Sequence, residues 1–315
     1  MRVAVTGANG LLGKAMAALH VALGDEVRCL VRDARRTADH LPGVLVFERD
    51  LSIETECLTD FLDGVDVVYH CAAELHDPAR MAATNVDGTR RLLAAAAGRI
   101  GRWVQVSTVG VYGRPRDGMV TEANRLAPTD AYTETKVRAD ALVAELSAQG
   151  GFEHVILRSC AVIGPGMQGR FLYRVIGLLN RGLFAPVGAP GALVSLIPIA
   201  NIAHALLECA RLPQAVGRIY NLADQCTVEH LVSACCEALE RPSPRWRLPE
   251  APLRGVAWLL GQIAAGRLTQ EQIDILTSRV KYSTERIRSE LGYHDVMKLD
   301  DALRDLVAAW RRREA

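Results

Sequence analysis

Arg2-Val3-Ala4-Val5-Thr6-Gly7-Ala8-Asn9-Gly10-Leu11-Leu12-Gly13 is the stretch whose reading decides the fold. A β-branched run ends in a glycine turn, and an Ala/Leu-rich segment of helical periodicity follows. Gly7 permits a tight turn, Gly10 lets backbone approach a pyrophosphate, and Gly13 lets the helix pack close to the sheet. Asn9, Leu11 and Leu12 complete the turn and open the helix, whose first N–H groups and positive dipole end suit a phosphate. The glycine spacing alone is weak, because such a turn also occurs without a ligand. Its position between the first strand and the first helix is what points to a nucleotide.

The same alternation continues through the first half of the chain. Strands are predicted at 2–6, 26–31, 44–47, 66–70, 102–107 and 154–158, and helices at about 11–23, 54–62, 80–98 and 130–148. This pattern predicts an α/β fold, a Rossmann-type doubly wound parallel sheet. After Arg158, glycine and proline cluster at Gly164-Pro165-Gly166 and from Pro186 to Gly191, and a helix at Asn201–Ala210 and a strand at Arg218–Leu222 return to the sheet. The expected organisation is a nucleotide-binding domain of 1–165 plus 195–224, with a smaller, discontinuous C-terminal substrate lobe of 166–194 and 225–315.

The end of the second strand selects the cofactor. An acidic residue there takes ribose hydroxyls, but here the run is Val27-Arg28-Cys29-Leu30-Val31-Arg32-Asp33, with Arg35 and Arg36 beyond. Val31 stands where the acid is expected, and Arg32 with Arg35 or Arg36 suits a 2′-phosphate, which favours NADP(H). Asp33 keeps NAD(H) as the alternative. Asp50-Leu51 ends the third strand, where a carboxylate reaches an adenine amino group or caps a helix.

Tyr132 and Lys136 are four residues apart on a predicted helix and share a face. A tyrosine with an ordinary pKa of about 10 exchanges protons poorly at neutral pH unless a cation stabilises its phenolate, and Lys136 is that cation. The end of the fifth strand, Val106-Ser107-Thr108-Val109-Gly110-Val111-Tyr112-Gly113, supplies a hydroxyl to hold a carbonyl.

With these features in order, the chain resembles an extended, or atypical, short-chain dehydrogenase/reductase of the NAD-dependent epimerase/dehydratase superfamily. It is nearest to the branch of 3β-hydroxysteroid dehydrogenases and dihydroflavonol reductases. His70-Cys71-Ala72-Ala73, Asn85-Val86-Asp87-Gly88-Thr89 and Leu157-Arg158-Ser159-Cys160-Ala161-Val162-Ile163-Gly164-Pro165-Gly166 carry the resemblance further, as do Ile219-Tyr220-Asn221-Leu222 and Glu290-Leu291-Gly292-Tyr293. It implies Tyr132 as general acid/base, Lys136 as its partner and Thr108 as the third member, with Ser107 as the second choice. It also implies cofactor contacts from the backbone of Ala72 and Ala73 and from Ser159, and support from Asn85. Ser159 departs from the family's proline.

The resemblance also narrows the chemistry. Dehydratases of the superfamily follow the threonine with an acidic pair, where this chain has Val109-Gly110. Epimerases commonly carry an asparagine where Ala161 stands, and Asn201 is similar to the steroid-dehydrogenase and reductase branches. The expected enzyme is therefore an NADP(H)-dependent oxidoreductase reducing a small-molecule ketone or oxidising the matching secondary alcohol. The alternatives are a nucleotide-sugar epimerase or 4-ketoreductase with bound NAD(P), and a non-catalytic NADP(H) sensor. Trp246, Leu248, Val256, Trp258, Leu259 and Leu260, with Arg245 and Arg247, form either a substrate wall or a core helix with flanking arginines.

Bulk composition agrees with a small-molecule partner. Half of the 315 residues are apolar and the formal net charge is +1, which argues against nucleic acid or an anionic membrane. Eight cysteines without paired C-x-x-C spacing read as reduced core thiols and no metal site. The apolar stretch Gly255–Gly266 is too short for a membrane span, and a strand-like start without a signal segment places the expectation in the cytoplasm. Ala-rich helices around Asn85–Ala97 and Tyr132–Ser147 suit close packing in a homodimer.

Overall fold

The computed structural model of the chain describes residues 1–35, 42–54, 57–167, 170–261 and 270–314, with the side chains of 170, 256–261, 270 and 271 left aside. In chain order the strands are β1 (Arg2–Thr6), β2 (Glu26–Val31), β3 (Val44–Glu48), β4 (Val65–His70), β5 (Ile100–Thr108), β6 (Met119–Val120), β7 (Glu153–Ser159), β8 (Ala161–Ile163), β9 (Leu193–Pro198), β10 (Ile219–Leu222), β11 (Asp224–Thr227) and β12 (Lys281–Tyr282). Seven of them make one parallel sheet in the order β10-β7-β5-β4-β1-β2-β3. The strand order reverses between β1 and β4, the crevice where open α/β sheets bind ligands. Every strand read from the sequence lies within two residues of one in this sheet.

Residue alternation explains the double winding. Val3 and Val5 face a cluster with Met16, Ile202 and Leu206, whereas Ala4 faces Phe61, Leu92, Trp103 and Val143 on the other side. A further apolar cluster joins Ile176, Leu231, Cys235, Leu303 and Leu306, under the second sheet of β11, β9 and β8. Five cysteines (29, 160, 209, 235 and 236) are buried, while Cys71 and Cys226 are half-buried and Cys57 is exposed. Among the described residues no helix is long and apolar enough to cross a membrane.

Two helices differ from the periodicity. The one expected at 54–62 is only Thr59–Leu62, with 55 and 56 outside the described residues. The one expected at 80–98 consists of Pro78–Met81, a π-helical turn Ala82–Gly88 and Thr89–Ala96. The Asn85 side chain is held by the loop after β4 and by Thr135, and Gly88 lies so close to Leu51 that a Cβ would be 2.6 Å from its carbonyl oxygen. Such π turns concentrate at functional sites.

Asn201, which the sequence offered as a marker of reaction type, is a clamp. Fully buried at the start of the helix Ile199–Arg211, it accepts from the N–H groups of Val296 and Met297 at 3.0 and 2.8 Å and donates to Met297 O at 2.9 Å and Asp224 Oδ2 at 3.3 Å. Asn201→Ala leaves those groups unpaired and is expected to cost about 3 kcal/mol of unfolding free energy. Urea denaturation checks this, and a loss under about 0.5 kcal/mol contradicts the clamp.

Candidate active site

Parallel pairing brings the strand ends to one edge. Thr6 pairs with Leu30 and with His70, and Thr108 pairs with Ser159. The glycine turn leaves this edge from β1. Gly7 has φ +67°, and a Cβ on it would lie 2.8 Å from the backbone of Ala72. A Cβ on Gly13 would lie 2.3 Å from Gly7 O, so Gly13 lets the helix close on its own turn rather than on the body of the sheet. Gly10 N donates to Gly7 O at 2.8 Å, and Gly10 caps the helix Leu11–Ala22 with no side-chain acceptor. The first-turn N–H groups, including those of Leu11 and Leu12, therefore have no side-chain cap and suit an anion. Asn9 ties the turn to the segment just past β2 by donating to Asp33 O at 3.0 Å.

A line of hydrogen bonds runs from this turn to the tyrosine. Thr6 Oγ1 meets His70 Nδ1 at 2.8 Å and accepts from Ala72 N at 3.1 Å, and His70 Nε2 meets Thr89 Oγ1 at 2.9 Å. Thr89 donates to Asn85 O at 2.8 Å, Asn85 Nδ2 donates to Thr135 Oγ1 at 3.0 Å, and Thr135 donates to Tyr132 O at 2.7 Å. Because Thr89 spends its hydrogen on Asn85, His70 donates from Nε2 and accepts at Nδ1, the neutral tautomer. Burial, with Lys136 adding, pulls the imidazole down to about 3.

Tyr132 lies in the first turn of the helix Ala131–Ala148, started by a capping box in which Asp130 accepts from Thr133 N at 2.8 Å. Thr108 caps the 3-10 turn Val109–Tyr112, accepting from Gly110 N at 3.1 Å. Gly110 seats that turn on the helix, since a Cβ there would be 2.9 Å from Thr133 Cγ2. The contact brings the Thr108 turn against the first turn of the tyrosine helix. Lys136 is buried, and its Nζ donates to Val106 O at 2.5 Å. Burial pulls its ammonium below the ordinary lysine value, opposed by Asp140. Burial pushes the Tyr132 phenol up to about 12, with Asp140 and Asp130 adding.

Ser107 is buried and donates to Asp140 Oδ2 at 2.8 Å, so of the two neighbouring hydroxyls it is Thr108 that stays partly exposed. Asn85 accepts from Glu74 N and donates to Glu74 O and Thr135 Oγ1, so it holds the Ala72–Ala73 loop indirectly. Arg32 pairs with Glu74 at 3.3 Å and is more than half exposed, while Arg35 pairs with Asp33 at 3.2 Å and is 92% exposed. Arg36 lies outside the described residues. Among the described residues Asp50 caps no helix. Ser52 donates to it from N at 2.8 Å and from Oγ at 2.7 Å, and Arg80 pairs with it at 3.0 Å. Burial opposes these contacts, yet they hold the Asp50 carboxyl below its usual range. Leu51 is buried, its carbonyl taken by Arg91.

Glu74 and Asp140 were missed in the sequence. Nothing in a single Glu or Asp marks it, although Asp140 continues the four-residue spacing of Tyr132 and Lys136. In the C-terminal part Trp246 is 66% exposed, Leu248 N donates to Pro186 O at 2.9 Å, and Arg247 pairs with Glu229 at 2.7 Å. The side chains of Val256, Trp258, Leu259 and Leu260 lie outside the described residues. Among the described residues no group of His, Cys, Asp and Glu is arranged to hold a metal ion.

Residues 3–223 match the model of the NAD dependent epimerase/dehydratase family. The chain is 30% identical to the 4-hydroxy-2-methyl-3-oxo-4-farnesyl-3,4-dihydroquinoline-1-oxide ketoreductase of Stigmatella aurantiaca, over 93% of this chain and 92% of that protein. It is 25% identical to the UDP-glucose 4-epimerase of Vibrio cholerae, over 98% and 95%. The fold is similar to that of the UDP-glucuronic acid 4-epimerase from Bacillus cereus solved in complex with NAD, with a TM-score of 0.80 at 17% identity and full coverage of both chains.

Gly13→Ala forces the turn and its helix apart. The expected result is a Kd for a nicotinamide dinucleotide raised at least about tenfold by calorimetric titration, with circular dichroism unchanged. A Kd within about twofold of wild type contradicts the turn as the phosphate site.

Proposed function

The chain belongs to the NAD-dependent epimerase/dehydratase family, and from that premise we propose that it is an NADP(H)-dependent reductase of a small-molecule ketone, reversible on the matching secondary alcohol. Membership makes it an NAD(P)-dependent enzyme of the short-chain dehydrogenase/reductase type. The observation that carries the ketone chemistry is the seating of Gly110 on Thr133, which sets the Thr108 turn against the tyrosine helix at the edge where the glycine turn opens. The ketoreductase relative, matched along nearly its whole length, supports the same reading.

The residues fit a dinucleotide, because the Gly7–Gly13 cradle would be filled by any Cβ and ends in uncapped N–H groups. When bound, the cofactor supplies a hydride. The turn would hold its pyrophosphate, the backbone of Ala72 and Ala73 would line it and Lys136 would meet the nicotinamide ribose, with Ser159 beside Thr108 at the strand edge. Arg32 and Arg35 would hold the 2′-phosphate in place of their present partners Glu74 and Asp33. Thr108 and Tyr132 hold the carbonyl oxygen. The Tyr132 phenol carries its proton throughout the neutral range and donates it to that oxygen, and the Lys136 charge stabilises the phenolate left behind.

Dehydration is disfavoured because a side chain at Gly110 meets Thr133, leaving no room for a carboxylate there. A nucleotide-sugar epimerase is the second reading, favoured by the Vibrio cholerae relative. It requires dinucleotide retained through purification with no net turnover, and Ala161 offers no amide to sugar-nucleotide phosphates.

In a screen of ketones followed by NADPH oxidation, Tyr132→Phe is expected to lower kcat about 10²–10⁴-fold with NADPH affinity intact; wild-type turnover sinks the mechanism. Arg32→Ala is expected to raise the Kd for NADPH about tenfold and leave NADH unaffected. Equal effects on the two cofactors contradict the NADP(H) assignment.

A further inference from the structure

Behind the tyrosine helix lies a buried polar assembly that the proposed chemistry leaves unused. Tyr132, Lys136 and Asp140 follow at intervals of four residues on one helix face, about 6 Å of rise per step. Asp140 Oδ2 accepts from Ser107 Oγ at 2.8 Å and from Arg158 Nε at 3.3 Å. Asp140 and Arg158 are both almost completely buried. Arg158 Nη1 donates to Tyr112 Oη at 2.9 Å, with its guanidinium over the Tyr112 ring, and Tyr112 donates to Asn221 Oδ1 at 2.9 Å. Ser107 precedes Thr108, and Tyr112 ends the turn that Thr108 caps. The assembly therefore grips that turn at both ends. Asp140 Oδ1 is buried with no hydrogen-bond partner among the described residues, so this carboxylate is not saturated by its structural contacts.

We propose that Asp140 is a positioning residue of the reaction centre: its carboxylate is the counter-charge of Lys136 and, through Ser107 and Arg158, fixes the turn that carries Thr108. This rests on the reading of Tyr132 and Lys136 as reacting groups. The charged and titratable groups facing Lys136 are Tyr132 and Asp140 on its own helix and His70 and Cys71 at the end of β4, while Arg158 on β7 acts on Asp140. His70 is neutral and burial pushes the Cys71 thiol up to about 12. Burial also pushes the Asp140 carboxyl up, opposed by Arg158, Lys136 and the Ser107 hydrogen bond, and its ion pair with Arg158 and bond from Ser107 mark it as the acidic partner among these groups. Burial lowers the lysine and Asp140 opposes it. Removing the charge therefore makes Lys136 lose its proton at lower pH.

The chain has four lysines, Lys14, Lys136, Lys281 and Lys298, so 13Cε-lysine NMR of the full-length protein resolves each titration, with Lys136 assigned by loss of its signal in Lys136→Met. In Asp140→Asn the Lys136 midpoint is expected to fall by about one pH unit, a tenfold loss of proton affinity. The other three lysines stay in place, and Asp140→Glu keeps the wild-type midpoint. Should Asp140→Asn fail to fold with Arg158 unpaired, the double variant Asp140→Asn/Arg158→Met removes both charges and carries a smaller expected shift in the same direction. An unmoved Lys136 midpoint in a folded variant overturns the proposal. The measurement uses no substrate, so it is independent of whether the ketone chemistry holds.

Discussion

At the edge of the sheet the backbone of β1 and the backbone leaving β4 meet with no space for a side chain between them. Gly7 sits against Ala72, and Gly13 folds the first helix back over Gly7. This crowding aims the first-turn N–H groups at the crevice and fixes where β4 ends, since Ala72 N is bound to Thr6 Oγ1. From Thr6 the restraint passes through His70, Thr89, Asn85 and Thr135 to the backbone of Tyr132. Four elements distant in sequence are thus registered on one another by groups with no spare hydrogen-bonding freedom, and a cofactor and a tyrosine placed by them share one frame.

Charge is distributed with the same economy. Lys136, Asp140 and Arg158 lie in the interior behind the site, where an isolated ion is costly and removing one partner of a pair leaves another exposed to that cost. A buried lysine beside a carboxylate keeps a positive potential behind the phenol without solvent to screen it. On the surface of the crevice, by contrast, Arg32 and Arg35 hold exchangeable acidic partners. The interior charges are held by one another and by fixed hydrogen bonds, whereas the exterior ones hold partners in reach of solvent.

The sheet was legible because its strands are short β-branched runs between helical segments, a pattern set by residues near in sequence. The glycine turn and the Tyr132–Lys136 pair were legible for the same reason. Partners brought together by tertiary folding were not. Glu74 is 42 residues from Arg32, and Asp140 is 33 from Ser107. Likewise the π turn at Ala82–Gly88 arises from what Asn85 and Gly88 touch, and intrinsic helix propensity does not register those contacts. Asn201 shows the converse hazard: a residue used to sort reaction types serves here to fasten the C-terminal segment.

Net hydride transfer between the dinucleotide and a ketone held by Thr108 and Tyr132 is the step on which the proposed function rests. The most direct test is incubation with C4-deuterated NADPH and a panel of ketones, followed by mass spectrometry of the products. The expected product is an alcohol carrying one deuterium on the carbinol carbon, formed in step with cofactor oxidation. Retained dinucleotide, sugar nucleotide isomerised without net oxidation, and no deuterated alcohol would contradict it.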